Sequence, residues 1–383
     1  MPSAWLHNYE ITKLAVQSPS LTNLLILVIL AVAVFATIRR STGPFAFLGR
    51  SQTDQLRGVA ILLLVLGHLW VHVSRTRADA IFSGDAVSMF FVLSGYGLTV
   101  SMRRDSLSVK RFITRRVRRV MVPYWAATIV LVILDYLILH RTYSAGDLVM
   151  TSLGLNFTSA LTSLDYVRWY VSLLLLWYVL FYVAHATLKG SHALVALFAA
   201  AFVLFFLSYY KPSMGWYQLF GFPVGCALGR WSEGLGMIYS HRKSTLFRLA
   251  IIGVLYVVSF KIVFSVQSIH AFLVAHVPNI LFNFILDVNG IVMCLGLMIL
   301  LARLAQAGRR SLLLLFFGAY SYELFLLHGA FLVKYDFIIR RPDAPSVVGS
   351  FLVFLAFASL LAGGLKKVLN APYGRLFGRA SSG

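Results

Sequence analysis

Acidic side chains are scarce in this sequence: 13 Asp and Glu stand against 34 Lys and Arg, and all four types make only 12% of the chain. With 59% hydrophobic residues and a mean hydropathy of +0.81, the chain has more apolar surface than a soluble domain can bury. So few acids give no ring of carboxylates for a channel filter. Cysteine is nearly absent. Cys226 and Cys294 sit in apolar stretches without metal-ligand spacing, which excludes a disulfide framework and leaves them as packing residues. No polar stretch is long enough for a separate soluble domain, and no repeat or low-complexity tract is visible. The first apolar run ends in Arg39-Arg40 with no small-residue cleavage site, unlike a cleaved signal peptide.

What is present is a succession of apolar runs near 21–38, 56–74, 84–101, 121–139, 169–188, 192–210, 215–230, 247–266, 280–302, 312–332 and 346–365. Each is near the ~20 residues that span a bilayer as helix. The expected fold is therefore all-α, a polytopic membrane bundle of about 11 transmembrane helices. The runs at 84–101 and 215–230 are short and Gly-rich, which suits helices packed in protein.

The net charge of +21 would suggest nucleic acid in a soluble protein. Here the basic residues cluster in alternate loops. With the N-terminus outside, 24 of the 34 Lys and Arg fall on the cytoplasmic side, eight of them in the 102–119 loop. The positive-inside rule then gives N-out and C-in, and no nucleic-acid partner is expected. The expected divisions are an extra N-terminal span and linker (1–54), a membrane domain (55–370) and a cytoplasmic tail (371–383).

Ionisable residues within spans are costly and need a reason. Arg57 and His68 bracket one apolar stretch, eleven residues apart. Eleven residues of helix turn through roughly three circles and rise about 16 Å, so both side chains share a face. Arg57 then stands at the cytoplasmic boundary and His68 near mid-bilayer, able to hold an anionic cofactor and place a proton acceptor at its reactive end. Three further blocks accompany them. Phe90 to Gly95 contains Ser94, a residue for close helix approach or for a substrate channel. The run from Lys110 to Arg119 carries Arg115, Arg116, Arg118 and Arg119, an interfacial anchor to anionic lipid whose i,i+3 pairs can also hold phosphates. The segment Ala319 to Gly329 carries Tyr322, Glu323 and His328, the last two on different faces. The outer loop 141–168, with Asn156, Asp165 and Arg168, is a candidate face for a polar acceptor or a plain connector.

Taken in order, these blocks resemble acyltransferase family 3, integral membrane O-acyltransferases. The family's Arg, ten residues, His is matched by Arg57 and His68. Its Phe-Phe-x-Leu-Ser-Gly is matched by Phe90–Gly95, and its Arg-x-x-Arg ahead of Pro-Tyr by the run through Arg119 to Pro123-Tyr124. Trp169-Tyr170-Val171 match the Trp-Tyr opening of a mid-chain helix, and Ser321–His328 the late Ser-Tyr-x-x-aromatic-Leu-Leu-His. The resemblance covers about 55–370. Two acids frequent in the family are missing: Ser88 stands two positions before the double Phe, and Ser172–Leu176 holds no Glu.

The resemblance implies acyl transfer, acetyl by default, from cytoplasmic acyl-CoA to a hydroxyl of a glycan or lipid-linked sugar at the outer face. The expected location is the plasma membrane, the inner membrane of a bacterium. Arg57, Arg115, Arg116, Arg118 and Arg119 would hold the CoA phosphates. His68 would be the general base or a transient acyl carrier, assisted by Arg57. Ser94, Trp169, Tyr170, Tyr322, Glu323 and His328 would line the substrate channel, with no metal. A transporter or flippase of a glycolipid or small anion, without acyl chemistry, is the alternative from another class.

Overall fold

The computed structural model describes residues 15–41, 43–73, 83–104, 108–156, 164–210, 218–335 and 341–377. The chain is a bundle of helices whose only sheet, among these residues, is a two-stranded clip. Each of the eleven apolar runs holds helix. Helix α1 is Pro19–Ala36, α2 Arg50–Val73 and α3 Ser83–Arg104. Helix α4, Val109–Arg116, passes through a π-helical turn, Val117–Met121, into α5, Val122–Leu139. A short α6, Ala145–Ser152, and a 3-10 turn, Tyr166–Arg168, lead into α7, Trp169–Thr187. Then come α8, Ser191–Tyr210, α9, Gly221–Arg230, α10, Ser232–Ser265, α11, Gln267–His276, and α12, Asn279–Gln306. Last are α13, Leu312–Ala319, α14, Ser321–Val333, and α15, Ala344–Phe377.

Among the described residues, eight helices are long and apolar enough to cross a membrane and a bent pair adds a ninth, against the eleven or so expected; α2 and α9 are not among them. Two of the expected spans are not simple helices. The run 215–230 supplies only the ten-residue α9. The run 312–332 breaks at Tyr320 into α13 and α14, bent by 73°. Irregular backbone at membrane depth is tolerated where protein re-satisfies it or a cavity adjoins it. Both occur here: the Lys366 amine donates to the Ala319 carbonyl at the break, and Ser321 Oγ donates to Gly318 O at 3.0 Å.

Without water to squeeze out between helices, close backbone approach through small residues does much of the packing in lipid. A methyl built on Gly58 of α2 would stand 2.1 Å from Leu314 O, and one on Gly318 of α13 would stand 1.9 Å from Asp54 O. The two glycines thus bring α2 and α13 together reciprocally. Gly95 of α3 and Gly225 of α9 do the same, with 2.2 Å to Phe222 O and 2.0 Å to Val92 O. These contacts fix the helices that carry Arg57, Ser94 and the break at Tyr320.

The clip pairs β1, Ile38–Arg40, antiparallel with β2, Arg309–Ser311, and Ser311 N donates to Gln55 Oε1 at 2.8 Å. Both strands come from loops that the charge pattern assigns to the cytoplasm, so strand pairing and charge agree that they share a side. Helix α1 is tied to α2 by Trp70 Nε1 donating to Asn23 Oδ1 at 2.5 Å. Much of the rest of α1 faces outward, with Leu24, Val32 and Phe35 more than half exposed.

Candidate active site

Arg57 and His68 are both half-buried on α2, amid a stretch from Leu56 to Trp70 that is otherwise mostly buried. Arg57 lines a cavity of about 500 Å³, together with arginines from the loop that the charge pattern assigns to the cytoplasm. His68 lies further along the helix, outside the cavity wall, against His328 of α14. His68 Nδ1 and His328 Nε2 are 2.7 Å apart, and the two rings are within 2° of parallel.

The surroundings of His328 determine which nitrogen carries which proton. Its Nδ1 lies 3.1 Å from Leu324 O and 2.9 Å from Phe325 O. Carbonyl oxygens only accept, so Nδ1 is protonated and the neutral ring presents a lone pair at Nε2. That lone pair must then accept from His68 Nδ1–H. The proton-accepting nitrogen of His68 is consequently Nε2. His328 is fully buried, and the pair is a chain in which α14 backbone fixes the tautomer of α2. The edge of His68 also meets the Tyr166 ring, with centroids 5.5 Å apart. The segment before α7 therefore reaches the same histidine.

The cavity is strongly basic. Arg57, Arg116, Arg118, Arg119 and Lys366 line it, against one acid, Glu323. Arg57 donates to Asp54 Oδ1 at 2.6 Å, and Lys366 stands 3.7 Å from Glu323. Arg116, the last residue of α4, and Arg118 and Arg119 of the π-helical turn line the cavity. Arg115 instead donates to Ser101 Oγ at 3.5 Å and is not part of the wall. Expectation and structure differ on this one arginine. The Arg116 guanidinium lies over the rings of Phe112 (5.6 Å) and Tyr178 (5.3 Å), and its buried Nε has no hydrogen-bond partner among the described residues. A buried guanidinium N–H of this kind is suited to a phosphate oxygen.

Of the expected channel residues, Ser94, Tyr170, Tyr322 and Glu323 line the cavity. Tyr322 donates to Val120 O at 3.0 Å, which holds α14 against the π-helical turn. Trp169 opens α7, as expected, but only its neighbour Tyr170 is in the wall. His328 is not in the wall either; it is the partner of His68. Phe325 joins the two regions: it lines the cavity, and its ring centroid is 4.9 Å from that of Tyr170 and 5.9 Å from that of His328. Sequence reasoning missed Lys366 and Tyr178, which carry no local motif, and treated Asp54 as unremarkable.

The outer-loop residues point inward. Asn156, Asp165 and Arg168 are all at most 4% exposed. Arg168 lies over the Tyr124 ring at 4.8 Å and donates to Thr128 Oγ1 at 2.5 Å. Asn156 Oδ1 accepts from Tyr124 (3.0 Å) and Thr151 (2.7 Å). Ser88, where the family pattern often has an acid, donates to Asp287 Oδ1 of α12 at 2.7 Å, so a carboxylate from another helix occupies that neighbourhood. Lys261, a cation inside a span, pairs with buried Asp85 at 2.8 Å.

Residues 50–363 match the family model described as an acyltransferase domain, that of acyltransferase family 3. The chain belongs to this family. No curated protein and no solved structure matches it. Acyltransferase family 3 membership agrees with the helical bundle and makes the protein a multi-pass membrane acyltransferase. The matched region begins at the first residue of α2 and leaves α1 ahead of it.

Proposed function

We propose that this acyltransferase takes an acyl group, acetyl by preference, from cytoplasmic acyl-CoA and transfers it to a hydroxyl of a glycan or lipid-linked sugar at the outer face of the plasma membrane. The observation that carries the reading is the His68–His328 pair, standing past the inner end of a five-cation cavity. CoA is polyanionic at one end and bears its thioester at the end of a thin arm. Arg57, Arg116, Arg118, Arg119 and Lys366 suit the phosphates. The arm would run past Ser94, Tyr170 and Phe325 toward His68.

In the direct route, His68 Nε2 takes the proton of the acceptor hydroxyl. The oxygen attacks the thioester carbonyl, the C–S bond breaks, and the proton passes to the departing sulfur, giving ester and CoA thiol. In the relayed route, the same nitrogen attacks the thioester carbonyl first and the C–S bond breaks with CoA leaving as thiolate. The acceptor oxygen then attacks the acyl-imidazole, the N–C bond breaks, and the hydroxyl proton balances the thiolate as CoA thiol. Both need the lone pair at Nε2 that His328 enforces. The relayed route suits a donor and acceptor arriving from opposite sides of the membrane. A labelled acyl-imidazole trapped on His68 distinguishes it from the direct one.

The acceptor side would be formed by the segment Asp165–Arg168, whose Tyr166 touches His68. The test is mass spectrometry of cell-surface glycans from cells with and without the protein. The reading expects an acyl mass increment on a glycan that disappears with the protein. Unchanged glycans and lipid-linked sugars would contradict it.

A further inference from the structure

The bundle holds a second cavity, of about 520 Å³, at the end that the charge pattern assigns to the cytoplasm. Helix α3 divides it from the first. Ser94, Gly97, Leu98 and Ser101 face the cavity at Arg57, whereas Thr99, Met102 and Arg103 face the other. The remaining wall comes from the ends of α7 and α9 and the start of α8. No residue lines both cavities.

The second cavity is basic and incompletely neutralised. Arg103, Lys189 and Arg230 all line it. Arg103 is already engaged: it pairs with Glu233 at 2.7 Å and donates to the carbonyls of Gly229 (3.4 Å) and Arg230 (3.2 Å). Lys189 and Arg230 have no ion-pair partner among the described residues. Arg230 reaches the turn between α7 and α8 that carries Lys189. Gly190, at φ +62°, follows Lys189, and the Arg230 Nη2 lies 3.8 Å from where a Gly190 methyl would stand.

Most of the rest of the lining is apolar, with Met102, Leu188, Leu194, Cys226 and Trp231 in the wall beside Thr99 and His185. The surface beside it is greasy as well: Trp231 is 54% exposed, Val195 65% and Met237 63%. Two unpaired cations beside an apolar wall, at the cytoplasmic boundary with an exposed tryptophan, match an amphiphile with an anionic head. We propose that this cavity binds the headgroup phosphate of an anionic phospholipid from the inner leaflet, held between Lys189 and Arg230 with its chains along α8 and α10. A freely soluble phosphate compound would use the two cations but leave the apolar wall uncovered.

The experiment reconstitutes the full chain in vesicles of phosphatidylcholine alone or mixed with phosphatidylglycerol, then measures retained lipid by native mass spectrometry. Wild type should keep phosphatidylglycerol, and the double variant Lys189→Gln/Arg230→Gln should keep about tenfold less or lower still. Arg242→Gln with Lys243→Gln, on the same side but outside the cavity, should retain as wild type does. Gel filtration and thermal unfolding confirm that each variant is folded. If the double variant is not, Lys189→Gln alone, on an exposed turn, should still show a reduced share. Equal retention by wild type and the folded variant overturns the proposal. So does displacement of the lipid by inorganic phosphate or CoA, which would make the cavity a site for soluble phosphate.

Discussion

His328 Nε2 accepts a hydrogen bond from His68 Nδ1 across 2.7 Å, and the protonation of His328 is fixed by two carbonyls of its own helix. The relationship links the first matched helix to the broken one near the end of the chain, 260 residues apart. On the proposed mechanism, His328 is a positioning residue that selects the tautomer of His68.

Replacing His328 with Leu should therefore lower kcat by about 100-fold to 10,000-fold while leaving KM for acyl-CoA near its wild-type value. His328→Gln, whose amide oxygen can accept from His68 Nδ1, should recover part of that loss. Steady-state kinetics on reconstituted protein decide the matter. A Gln variant no better than Leu would remove the tautomer argument.

The basic cavity predicts an opposite kinetic pattern. Arg116→Gln should raise KM for acyl-CoA by about tenfold, the loss of roughly one charge-assisted hydrogen bond to phosphate, with a smaller change in kcat. Arg115→Gln should change KM by less than about threefold, since Arg115 is not itself in the wall and backs it only through Ser101. Initial rates against acyl-CoA concentration separate the two. Equal effects at both positions would contradict the assignment of Arg116, and not Arg115, to the phosphates.

Arg168 is a buried cation beside Asp165, with Nε 3.9 Å from the carboxylate. Arg168→Gln leaves that carboxylate without its counter-ion and should destabilise the protein by about 3–5 kcal/mol, the range for breaking a buried pair. Arg168→Lys should cost less but still lose the fork geometry over Tyr124. Thermal unfolding in detergent measures both.

Gly225→Ala should impair folding outright. The added methyl would lie 2.0 Å from Val92 O, on backbone that cannot yield without parting α3 from α9. Overpacking of this kind costs about 1–3 kcal/mol or more. Gly349→Ala, inside α15 with nothing within 4 Å, should leave the unfolding temperature unchanged or slightly raised.

The architecture was legible in the sequence because hydropathy and loop charge respond to the same bilayer that shapes the helices. All eleven apolar runs hold helix, and the common face of Arg57 and His68 follows from their spacing. Local spacing could not reveal what distant segments do to each other. Glu323 and His328 were correctly read as facing different ways; their partners, Lys366 and His68, lie in other helices. The break at Tyr320 was hidden because both of its halves are apolar. The exclusion of Arg115 was hidden too, because the spacing of the arginines does not show which of them face the cavity. Asn156 and Arg168 looked like loop polarity yet serve as buried struts, since a loop folded into the bundle must satisfy its polar groups internally.

The most direct measurement uses purified, reconstituted protein with labelled acetyl-CoA, comparing wild type with His68→Ala for release of CoA and transfer or hydrolysis of the label. The account predicts turnover by wild type, and none above background by a His68→Ala protein that inserts normally and still binds acyl-CoA. Undiminished turnover by that variant would contradict it.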